Sequence, residues 1–79
     1  MMSPDDAQTA WPHAKKVLRC LKTHRYFTGN GWSQDSGEAQ TFRDTVDAAR
    51  ACVSHNLHEI ELVLRTHVTD TELFSTPIR

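Results

Sequence analysis

The sequence predicts a small α+β domain, a mostly antiparallel sheet in β-β-β-α-β order with one helix packed on one face. Three observations carry that reading. Behind a capping aspartate at Asp44, apolar side chains recur at spacings of three and four as far as Leu57. Directly afterwards Ile60, Leu62 and Leu64 alternate with Glu61, Val63 and Arg65, which is the period of a strand with one buried face. The chain has 79 residues, enough for one hydrophobic core and too few for two.

In chain order, residues 1–12 are polar and hold two prolines, so they read as a flexible leader, with Trp11 able to pin its end to the body. The domain proper is expected over 13–68. Its first segment fits two templates. Ala14, Val17, Leu18 and Leu21 make a helical stripe opposite Lys15, Lys16, Arg19 and Lys22, yet Val17 to Leu21 followed by Arg25 to Thr28 also fits a hairpin. The hairpin is preferred: a helix here would end at Thr23 without a glycine or asparagine cap, and the later helix needs at least three strands beneath it. Thr23 and His24 are then its turn residues.

Gly29, Asn30 and Gly31 all accept positive φ and predict a sharp bend that aims Trp32. Asp35 with Glu38 predicts a single capped helical turn, and Gln40 to Phe42 a short third strand anchored by Phe42. Asp44 opens the main helix, with Asp47 as the acid of a capping box. Val46, Ala49, Cys52, Val53 and Leu57 form its predicted buried stripe, opposite Asp47, Arg50, Ala51, Ser54 and His55. Asn56 is the expected left-handed cap. In the strand after it, Val63 is the single apolar residue on the wet side. Residues 69–79 are expected to be a partly ordered tail, docked through Leu73 and Phe74.

Composition narrows the function classes. Nine Lys and Arg against ten Asp and Glu leave a net charge of -1, so no global field draws the chain to nucleic acid, anionic lipid or acidic substrates. There is no apolar run of membrane length, and Cys20 and Cys52 are too few for a disulfide scaffold. A cytoplasmic protein with reduced thiols is expected.

The run Arg25-Tyr26-Phe27, then Gly29-x-Gly31-Trp32-Ser33, followed by Asp35, Ala39, Phe42 and the Ala48-Ala49 helix, resembles a class of small bacterial and phage-associated domains of unknown function in which a hairpin ends in a Gly-x-Gly-Trp bend. The resemblance spans about half the chain. It implies a β-rich sheet with one helix and no established activity, and it assigns no functional residue.

The residues offer three candidate chemistries. Lys15, Lys16, Arg19, Lys22 and Arg25 lie together without an acid among them, with Tyr26 and Trp32 following, a set that could meet phosphates and unstacked bases. The same pattern describes cations guarding a sheet edge. Cys52, His55, His58 and His67 are zinc-ligand types, but Cys52 and His55 fall on opposite helix sides and His58 lies beyond the cap, so no metal is expected. Asp35 with Glu38, Glu59 with Glu61, and either cysteine with a histidine lack an orienting third group. The sequence therefore predicts no enzyme, cofactor or membrane partner. It favours a non-catalytic interaction or regulatory module that binds a protein partner or associates with itself, through an edge strand or the Leu73-Phe74 tail. Single-stranded nucleic-acid binding through the basic hairpin is the alternative.

Overall fold

A computed structural model describes residues 14–79, so the predicted leader, 1–12, and Trp11 lie outside the described residues. The elements are β1 (Ala14–Cys20), β2 (Tyr26–Phe27), β3 (Trp32–Ser33), a 3-10 turn (Ser36–Glu38), α1 (Thr45–Ser54), β4 (Ile60–Thr66) and β5 (Glu72–Pro77). The strands form one sheet in the order β3-β2-β1-β4-β5, antiparallel throughout. One helix on an antiparallel sheet is the predicted α+β class.

The first segment is strand, not helix. β1 pairs along its whole length with β4, Ala14 opposite Thr66 and Cys20 opposite Ile60. The hairpin turns through Leu21 to His24, closed by Cys20 N–H to Arg25 C=O at 2.9 Å and His24 N–H to Cys20 C=O at 2.9 Å. His24 takes the positive φ, 61°.

The third strand is not where the sequence places it. Gly29, at φ 104°, reverses the chain early, Thr28 N–H donates to Gly31 C=O at 3.0 Å, and Trp32 lands opposite Phe27. A Cβ at Gly29 would meet only Gln40 Oε1, at 2.7 Å, the end of a flexible side chain that can swing aside, so the positive φ is the reason for glycine. Gln40 to Phe42 is left with two backbone bonds, Gln40 N–H to Phe27 C=O and Phe42 N–H to Lys16 C=O, and makes only an isolated bridge. Phe42 is nonetheless buried in the core as expected. At the other end, residues 72–77 pair with β4 as a fifth strand, with an irregularity at Leu64 and Arg65.

α1 is capped at both ends. Asp44 accepts from the Asp47 N–H at 2.8 Å, while Asp47 accepts from the Arg43 N–H at 3.3 Å. At the far end Leu57 N–H reaches Cys52 C=O and Asn56 N–H reaches Val53 C=O, with Asn56 at φ 53°, the paired bonds of a left-handed cap.

The helix is rotated from the predicted orientation. Ala48 and Cys52 are buried and Ala51 partly so, against Leu18, Phe27, Phe42, Ile60 and Leu62, whereas Val46 is 61% and Val53 68% exposed. At roughly 100° per residue the helix carries two competing arcs, one of small residues and one of valines. The small arc wins because the sheet beneath is already bulky, and alanine and a thiol let the helix sit close upon it.

Val63 is also corrected. It is fully buried with Val17, its cross-strand neighbour, and Tyr26, in a second cluster on the sheet face away from the helix. That face is not simply wet. Ala39 packs against that cluster, and the guanidinium groups of Arg19 and Arg65 lie over the Tyr26 ring.

Candidate binding surface

The structure separates the residues the sequence groups as a basic, aromatic surface. Strand alternation puts Lys15 and Arg19 with Tyr26 on the face away from α1, and Lys16 with Trp32 on the helix side. Trp32 packs edge-on against Phe27, ring centroids 5.6 Å apart. Lys22 and Arg25 belong to the exposed end of the hairpin, where Lys22 Nζ lies 3.1 Å from Glu59.

The cations of the far face carry acids. Arg19 donates through Nε to Glu61 at 2.8 Å and through Nη1 to Glu72 at 2.7 Å. Arg65 donates to Asp70 at 2.8 Å, and Lys15 Nζ lies 3.0 Å from the same carboxylate oxygen. The Ser36 hydroxyl donates to the other oxygen of Asp70, and Arg65 also donates to the Asp70 backbone carbonyl. Tyr26 sits inside this lattice. Its hydroxyl accepts from Arg19 at 3.3 Å and Arg65 at 3.1 Å, and both guanidinium carbons lie 5.7 Å from its ring centroid.

The electrostatics follow from those contacts. Donation to the Glu61 carboxylate, and then to that of Glu72, raises the Arg19 pKa. Burial alone would raise the Asp70 carboxyl, but bonds from Ser36, Arg65 and Lys15 together outweigh it and hold the group well below the usual carboxylate range. Arg19 lowers Glu72 in the same way. Lys15, Arg19 and Arg65 thus balance Glu61, Asp70 and Glu72, and the lattice presents paired charge and a covered ring.

The other chemical candidates are occupied locally. His55 lies against Phe27, centroids 4.9 Å apart, and His58 Nε2 is 3.0 Å from Asn56 Oδ1. No group of three or more His, Cys, Asp or Glu that could hold a metal occurs among the described residues. Asp35 accepts from Gly37 N–H at 2.8 Å, Glu61 binds Arg19 and Glu59 faces Lys22. Both cysteines are free; the Thr23 side chain lowers the Cys20 thiol pKa and burial raises that of Cys52.

What remains open lies on the helix side and at one edge. Val46, Ala49, Arg50, Val53 and Ser54 line a shallow depression along the outside of α1. Among the described residues β5 is the outermost strand, with Leu73 38% and Phe74 54% exposed. The opposite edge, β3, has only two residues. Residues 69–79, expected as a partly ordered tail, hold the edge strand from Glu72 to Pro77; its signal in the sequence is the β-prone run Leu73-Phe74-Ser75-Thr76 after a Thr-Asp-Thr turn. Asp70, in that turn at φ 51°, and Arg65 were missed as lattice members because they meet only once β4 has turned into β5.

No helix among the described residues is long and apolar enough to cross a membrane. In comparison with known proteins, no family model, no curated protein and no solved structure matches the chain.

Proposed function

We propose that this protein is a non-catalytic interaction module of the cytoplasm that takes an added strand on the open edge of β5. The observation that supports the reading is β5 itself: a six-residue strand that, among the described residues, is paired on one side only, with Leu73 and Phe74 exposed beside that edge. Unpaired N–H and C=O groups in a row are a template for another strand, and apolar side chains next to them give the contact its specificity. Free thiols suit a reducing compartment.

Single-stranded nucleic-acid binding is supported less well, because Lys15, Arg19 and Lys22 already carry acids and Tyr26 is enclosed between two guanidiniums.

The test is site-specific photo-crosslinking in cells. A benzoylphenylalanine at position 74, on the edge, should form adducts, and the same group at position 68, exposed but outside any strand, should not. Equal yields at 68 and 74, or none at 74, would remove the edge from the account.

A further inference from the structure

Resting on β5 as the docking edge, we propose that the strand it takes is the β5 of a second copy of this chain, joined about a two-fold axis beside Ser75. Backbone direction sets the axis. Ile60 N–H donates to Arg79 C=O at 3.1 Å, and Ile60 C=O accepts from Ile78 N–H at 2.9 Å. Alternation along β4 then turns Leu62 and Leu64 the same way, so their partners Thr76 and Phe74 bond inward. Ser75, between them, directs its N–H and C=O to the open side. Two antiparallel copies exchange Ser75 N–H for Ser75 C=O in both directions. Pro77 has no N–H to give and closes the ladder one pair further on.

Three features select a second copy. From Leu73 to Ile78 no side chain is charged, so like meets like without repulsion, where exposed edges commonly carry lysine guards. The nearest acid, Glu72, is held by Arg19 at 2.7 Å. Among the described residues the far edge of the sheet, β3, spans two residues and cannot receive a six-residue strand, which disfavours head-to-tail growth and leaves closed two-fold pairing. Finally, Phe74 lies on the helix side with its partner Leu64, and in the pair it faces Thr76 of the second copy, with the two Phe74 rings flanking the axis.

The test is sedimentation equilibrium of the full chain across a wide dilution series. The mass should rise with concentration from 9.0 kDa to twice that value. Ser75→Pro, which removes the outward N–H, and Phe74→Lys, which places like charges beside the axis, should each raise the dissociation constant at least about tenfold while keeping the wild-type circular dichroism spectrum. Val68→Lys should change nothing. With benzoylphenylalanine at position 74, the purified chain alone should give a product of two-chain mass, a reading that does not depend on how the variants fold. A wild-type chain that stays at 9.0 kDa throughout, or variants that pair as well as wild type, would overturn the inference. If the chain is monomeric yet position 74 captures a different protein in cells, the second copy is wrong and the edge reading stands. If position 74 captures nothing in either setting, both fall.

Discussion

Which side of α1 faces the sheet decides what the molecule offers to a partner, and paired substitutions at Ala48 and Val53 measure it. Ala48 is fully buried among Leu18, Phe27, Phe42, Cys52, Ile60 and Leu62. Glutamate there must overpack that cluster and leave a carboxyl without a partner, which together cost at least about 4 kcal/mol. A domain of this size has a total stability of about 4 to 12 kcal/mol, so Ala48→Glu consumes a third of it or all. Val53 is 68% exposed, and glutamate is the better helix former, so Val53→Glu should change stability by no more than about 0.5 kcal/mol. In urea denaturation followed by circular dichroism, a slope near ~1 kcal/mol/M turns the first cost into a midpoint drop of ~4 M or an unfolded protein. The Val53→Glu midpoint should stay where it was. If Val53→Glu proves as damaging as Ala48→Glu, the helix buries its valines and the packing described above is wrong.

Three further outcomes follow from the lattice and the turn. Asp70 and Glu72 titrate below their unfolded values, near ~4, so the stability they contribute is present above that pH and is lost as pH falls through the folded values. The urea midpoint should therefore hold down to pH ~5 and decline further into acid, with a shallower decline for Asp70→Asn; identical acid limbs would exclude Asp70 as a contributor. Gly29→Ala forces a side chain to φ 104° beside Gln40 and should lower stability by roughly 1 to 3 kcal/mol in thermal melts; an unchanged melt would show that the bend does not require glycine. On heparin at low salt the purified chain should pass unretained, since Lys15, Arg19 and Arg65 are paired, whereas retention with a steep salt dependence would restore the nucleic-acid reading.

The caps and the strand after the helix were legible because each depends on neighbours in sequence. Asp44, Asn56 and the alternation of Ile60, Glu61 and Leu62 needed no distant contact to be recognised. The rotation of α1 was not legible. Two apolar arcs on one helix can be ranked only by the bulk of the sheet they meet, and Leu18, Phe27 and Leu62 arrive from three different strands. Val63 looks wet in the sequence for a similar reason, because its cover comes from Val17 on the adjacent strand and Tyr26 on the strand beyond it. The sequence groups Lys15, Lys16, Arg19, Lys22 and Arg25 with Tyr26 and Trp32 because they are close neighbours along the chain. The acids that pair with Lys15 and Arg19, namely Glu61, Asp70 and Glu72, lie more than forty positions further along the chain.

The claim on which the functional account turns is that the Ser75 amide points out of the sheet and is bonded only when two chains meet. Residue-resolved hydrogen exchange at low and high protein concentration tests it directly. Exchange at Ser75 should be fast in dilute solution, far faster than at Thr76, and should slow steeply as concentration rises while Thr76 is unaffected. A Ser75 amide equally protected at both concentrations, or equally open at both, would contradict it.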